Sequence, residues 1–137
     1  MKIFIERIND KVHLKATNEG GNSIYMDGSE SIGGQNLGMR PMQLLLAALG
    51  GCSSMDVLSI LAKQKQSVDK YEVLVEGERE TGKEPSLFKD IHVHFKVSGN
   101  VEEEKLKRAI ELSMSKYCSV AKTLEHTAKI TYSYELV

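Results

Sequence analysis

Apolar residues keep two rhythms along this chain. Ile3, Ile5 and Ile8, then Val12, Leu14 and Ala16, alternate with polar and charged neighbours, the period of strands with one buried face. Asn9-Asp10 and Glu19-Gly20-Gly21-Asn22 supply turns, so residues 1–17 and a short strand Ser23–Met26 form an antiparallel meander. Residues 27–39 carry four glycines and few apolar groups. They form a loop whose length is near the upper end of what a domain keeps without a reason, such as lining a site.

From Pro41 to Ala62 the alternation stops, and the one charge is Asp56. A surface helix would show a polar face every 3.6 residues, so this stretch predicts a helix buried on nearly all sides. Pro41 suits the first helical position, where its missing N–H costs nothing. The run is long enough to span a bilayer, but Gly50-Gly51-Cys52-Ser53-Ser54 interrupts its centre and Asp56 follows. A carboxylate that deep in hydrocarbon is expensive, and no basic cluster flanks the run. A core helix is the better reading, with Gly50-Gly51 giving a second backbone or a ligand close approach beside Cys52.

Beyond a polar exit at Gln64–Ser67, Tyr71, Val73 and Val75 begin a hairpin that turns at Gly82–Pro85 and returns through Ile91, Val93, Phe95 and Val97. Asn100 and Glu103 have capping-box spacing, and Leu106, Ala109, Ile110 and Ser113/Met114 recur as on a helix. Glu102–Glu104 at its start suit the helix dipole and read as a solvated helix start. Tyr117–Leu124 is a short further helix. Lys129–Val137 closes as a strand with Ile130, Tyr132, Tyr134 and Leu136 on one face. The order βββ–α–ββ–α–α–β, with antiparallel strands and no βαβ alternation, is an α+β fold in one domain, residues 1–137. Three strands and one amphipathic helix cannot easily surround the central helix, so a second subunit related by twofold symmetry is expected to cover it.

Composition narrows the function classes. With 137 residues, 41% hydrophobic and 27% charged, the chain can bury a core without staples. A net charge of −1 gives no electrostatic case for nucleic acid or membrane partners. The N-terminus lacks a signal peptide's apolar core, so a cytoplasmic location is expected, where the two cysteines are thiols first. Gly20-Gly21 and Gly33-Gly34 are not phosphate loops, because neither opens a helix after a strand in the needed pattern.

Cys52 and Cys118 are 66 residues apart, each followed by serine. Buried free thiols are common core residues, and spacing alone leaves open whether the two sulfurs meet. Glycines before Cys52 leave room for a substrate, and a helix beginning after Tyr117 would give Cys118 the thiolate support of free N–H groups. Asp56, one helical turn after Cys52, would raise a nearby thiol's pKa unless neutralised. Arg40 could supply a cation if the chain folds back or a partner delivers it. His92 and His94 share a strand face but lack a third ligand, so a solvated face is the simpler reading than a metal site.

Pro41-Met42-Gln43-Leu44-Leu45-Leu46-Ala47-Ala48-Leu49-Gly50-Gly51-Cys52, Tyr117-Cys118-Ser119-Val120-Ala121-Lys122-Thr123-Leu124 and the strand Ile130–Leu136 together resemble the OsmC/Ohr superfamily of osmotically induced and organic hydroperoxide resistance proteins. Met26-Asp27-Gly28, Gly51–Leu61 and Lys116–Ala121 are most similar to its YhfA-like branch. The resemblance implies an OsmC-like fold, with antiparallel sheets from both chains of an intertwined homodimer wrapped around the central helices. It also implies a thiol peroxidase acting in oxidative stress defence. Cys52 would be the peroxidatic residue, oxidised by an organic hydroperoxide to a sulfenic acid, and Cys118 the resolving one. A dithiol, lipoyl-type in the family, would reduce the disulfide, with no metal or flavin cofactor.

Two family features are replaced. Asn22 stands at the hairpin position of the family's Arg, and Met42-Gln43 where the hydroperoxide reductases carry Glu. Arg40 is then the candidate thiolate-stabilising cation. The alternative is a non-catalytic protein of this fold that binds a small apolar ligand or senses oxidants through its thiols.

Overall fold

The computed structural model describes residues 1–137, which gather into two compact units, Met1–Leu45 and Leu46–Val137. In the first, β1 (Ile3–Arg7), β2 (Leu14–Asn18) and β3 (Ser23–Met26) form the expected antiparallel meander. Ile5, Ala16 and Ile24 pair across all three strands. Ala16 is buried, whereas Ile3, Phe4, Ile5, Ile24 and Tyr25 are exposed.

The glycine-rich loop after β3 closes around one carboxylate. Asp27 accepts the N–H groups of Gly28 (2.7 Å), Leu37 (3.1 Å) and Gln35 (3.2 Å). Burial pushes its pKa up, but the N–H groups of Leu37, Gly28 and Gln35, with His13 nearby, outweigh it and hold the carboxyl below the usual range. Gly34 is obligatory, since a Cβ there would collide with the carbonyl of Gly28. Arg40 then starts α1 (Pro41–Lys63). Its N–H donates to Gln43 Oε1 at 2.9 Å, and its carbonyl accepts from Leu44. Gln43 thus performs half of a capping box.

In the second unit, β4 (Ser67–Arg79) and β5 (Phe88–Asn100) form a long antiparallel hairpin. Ile91, Val93, Phe95 and Val97 are buried on one face of β5, as their alternation predicts. The last strand differs from expectation. β6 (Lys129–Leu136) lies beside β5 in parallel, with Asp90 opposite Lys129 and Val97 opposite Leu136. Between the two strands run α2 (Glu103–Leu112), a π-helical turn (Ser113–Tyr117) and α3 (Ser119–Leu124). That crossover is long enough to bring the chain back to the end where β5 began, so the sheet is mixed rather than antiparallel.

The expected capping box at Asn100 is also absent. Asn100 ends β5 and Glu102 sits at the helix N-cap without a side-chain cap. Its N–H instead donates to Gln66 Oε1 at 2.7 Å.

α1 is buried on one stripe only, through Leu49, Gly50, Ser53, Val57 and Leu61. Gly50 allows the closest approach, because a Cβ there would stand 2.9 Å from a Val75 methyl of β4. The close neighbour is therefore a packed side chain rather than a ligand, while Gly51 faces open space. The rest of the helix is apolar yet uncovered within one chain: Ala48, Gly51, Met55, Leu58 and Ala62 are exposed. Their spacing of three and four residues is that of a helix–helix seam. α1 is also the one helix long and apolar enough to cross a membrane, with mean hydropathy 1.8.

Candidate active site

Two elements bring the thiols together. α1 presents Cys52, half-buried, and Asp56 one turn on; the junction between the π-helical turn and α3 presents Cys118, fully buried. Cys52 Sγ, Cys118 Sγ and a carboxylate oxygen of Asp56 all lie within 4.8 Å of one another. Both cysteines are free thiols.

Local backbone geometry fixes Cys118. Its N–H donates to Ser113 O at 2.8 Å, closing the wider π turn, and it caps α3 by accepting the N–H of Ala121 on Sγ at 3.4 Å. This is the helix-start placement its sequence context predicts. Burial nonetheless dominates and pushes the Cys118 thiol up to about 11. The N–H groups of Ala121 and Val120 oppose the shift, and neighbouring Cys52 adds to it.

Asp56 is held from the other side. Ser113 Oγ donates to Asp56 Oδ2 at 2.9 Å and lies 3.4 Å from the carbonyl of Ser53. The sequence places Ser113 on the apolar face of a helix, and it is indeed fully buried. What its spacing conceals is that it ends α2 and turns its hydroxyl onto α1. A groove of about 490 Å³ opens beside Asp56, lined also by Ser59, Ile60, Lys63, Gln64, Leu112 and Tyr117.

The other candidates have partners of their own. Arg40 Nη1 donates to the carbonyls of Gly38 (3.3 Å) and Asp27 (3.4 Å), and Nη2 to Asn36 Oδ1, so its guanidinium fastens the loop that leads into α1. His92 bonds Thr131 (2.7 Å) and Ser133 (2.8 Å), and His94 bonds Ser133 (2.8 Å). The two imidazoles share a face, as alternation requires, but hydroxyls of β6 occupy both nitrogens of His92 and Nδ1 of His94. Glu102–Glu104 stand exposed at the start of α2.

The profile of OsmC-like proteins matches residues 33–133, a span that includes both cysteines. The chain belongs to the OsmC-like family. Among OsmC-like relatives, it is 43% identical over 118 residues to protein YhfA of Escherichia coli K12, covering 85% of this chain and 84% of YhfA. A crystal structure of a protein from Aquifex aeolicus VF5 superposes with a TM-score of 0.81 at 29% identity, covering 99% and 96% of the two chains. An organic hydroperoxide resistance protein OsmC of Legionella pneumophila superposes at 0.71 with 14% identity, covering 98% and 97%. At that identity the likeness is one of fold.

Proposed function

We infer that this OsmC-like protein is a thiol-dependent peroxidase that reduces organic hydroperoxides in the cytoplasm, working as a homodimer. The observation that carries the reading is the convergence of Cys52 and Cys118 sulfurs, which lie within 4.8 Å of each other. Side-chain rotation can close such a gap to the ~2.05 Å of a disulfide. The unequal burial of the pair supports the division of roles. Half-buried Cys52 can meet a peroxide, whereas fully buried Cys118 can meet only Cys52.

In this reading the Cys52 thiolate attacks the distal oxygen of ROOH, breaking the O–O bond. It becomes Cys52–SOH, and the alkoxide leaves as alcohol after taking a proton. Cys118 then attacks the Cys52 sulfur, forming the disulfide and releasing water. A dithiol, of lipoyl type, exchanges with that disulfide and restores both thiols. Ile60, Leu112 and Tyr117 in the neighbouring groove favour an alkyl tail, at about 0.8 kcal/mol per buried methylene. Arg40 is the candidate counter-charge to the thiolate, held in a defined place by its loop carbonyls.

The apolar seam of α1 supports the dimer. Met55 is 75% exposed in one chain and Leu58 39%, and covering such side chains gains roughly 1.5–3 kcal/mol each. The exposed apolar residues of the β1–β3 sheet would likewise be covered by a wrapped partner.

One observation favours a second reading, an oxidant sensor that reacts without turning over. Asp56 adds a carboxylate beside the thiols, and Asn22 and Met42-Gln43 stand where the resemblance places the hydroperoxide reductases' Arg and Glu. Turnover separates the two. With cumene hydroperoxide and a dithiol, the wild type is expected to consume peroxide continuously and Cys52→Ser not at all. Without the dithiol, one equivalent of peroxide should lower the wild-type mass by about two units and leave Cys118→Ser as a sulfenic acid. A wild-type rate no faster than that of Cys52→Ser would rule out the enzyme.

A further inference from the structure

The thiol pair and Asp56 carry a second chemistry that does not depend on peroxide turnover. We propose that Cys52, Cys118 and Asp56 form a binding site for a thiophilic divalent ion of the Zn²⁺ class. Three donor atoms of the right kind, two sulfurs and one carboxylate oxygen, lie within 4.8 Å of one another. A tetrahedral Zn²⁺ with bonds of about 2.3 Å to sulfur and 2.0 Å to oxygen spaces its donors roughly 3.5–3.8 Å apart. Side-chain adjustments of about 1 Å therefore close all three on one ion.

The surroundings are those of a supported ligand set. Ser113 Oγ donates to Asp56 Oδ2 at 2.9 Å, orienting the carboxylate as an outer-shell partner does. The N–H of Ala121 donates to Cys118 Sγ at 3.4 Å and helps hold its charge when ligated. Asp56 opens onto the groove beside α1, which gives an ion a way in. Two thiolates and a carboxylate gathered at one point repel one another, and a divalent cation removes most of that repulsion. The softness of two sulfurs excludes Mg²⁺ and Ca²⁺, which need oxygen shells. A fourth position stays open to water. Each thiol that binds gives its proton to solvent, so two protons leave per ion. An ion seated there occupies both sulfurs and keeps them from oxidants.

Cobalt titration of the reduced full-length protein tests the site directly. Co²⁺ is expected to bind one per chain, giving a thiolate-to-cobalt charge-transfer band and intense tetrahedral visible absorption. Zn²⁺ should bleach both, and Mg²⁺ neither. Cys52→Ser and Cys118→Ser should each weaken the charge-transfer band sharply, and prior alkylation should abolish it. Asp56→Asn and Ser113→Ala, which leave the thiols intact, should each lower affinity by roughly tenfold or more. A pale octahedral spectrum without charge transfer would overturn the proposal, as would unchanged affinity in both Asp56→Asn and Ser113→Ala. Peroxide turnover is measured separately, so a silent peroxidase that binds cobalt would refute the peroxidase reading and leave this one standing.

Discussion

Cys118 and Asp56 are governed by the same few atoms around Ser113. The Cys118 thiol, pushed up to about 11 mainly by burial, is protonated at neutral pH. Its folded value lies above its ordinary one, near 9. The neutral thiol therefore contributes stability that is complete below about pH 9 and is lost as pH rises through about 11. Thermal melts of the reduced protein should fall across that window, and Cys118→Ala should flatten the fall. A wild-type melting profile that is level from pH 9 to 11 would contradict the burial argument. The two cysteines were legible in the sequence as thiols, and Asp56 as the carboxylate one turn from Cys52. Ser113 was not, because a small residue at helical spacing reads as packing. Its hydroxyl gains a partner only when a second helix is laid beside the first.

At the level of elements, alternation carried most of the information. The β1–β3 meander, the β4–β5 hairpin and the buried face of β5 follow from period-two patterning, whereas the face expected to be buried on β1 is exposed within one chain, at Ile3 and Ile5. The parallel placement of β6 does not, because pattern fixes which face is buried and not which way a strand runs. The π-helical turn is likewise invisible to periodicity, since one extra residue in a turn leaves no compositional trace. Two adjacent glycines in α1 illustrate how context decides. Gly50 faces a β-branched side chain, with a Cβ only 2.9 Å from Val75 Cγ2. Alanine there gains about 1 kcal/mol of helix propensity but overpacks the contact by 1–3 kcal/mol, on the order of other core insertions. Gly50→Ala should therefore lower stability by about 1 kcal/mol net in denaturant unfolding. A stabilised Gly50→Ala protein would show that Val75 yields freely.

For the whole molecule, the sequence of α1 demands more cover than one chain supplies. The stripe Leu49, Ser53, Val57 and Leu61 is satisfied internally, while Met55 and Leu58 on the opposite side are not. The double substitution Met55→Lys, Leu58→Glu places charges on the proposed seam and touches none of the buried stripe. Sedimentation at micromolar concentration should then report monomers where the wild type reports dimers. Dimers that persist would mean that the seam is not where the subunits meet.

The parallel pairing of β6 has a bearing on how the protein is made. β5 precedes Cys118 and β6 follows it, yet the two strands are neighbours, so the second sulfur lies inside a loop tied off by the sheet. A nascent chain emerging from the ribosome has Cys52 on its helix well before that knot is drawn. Until β6 has paired with β5, the loop that carries Cys118 is not closed, and the sheet does not yet fix that sulfur beside Cys52.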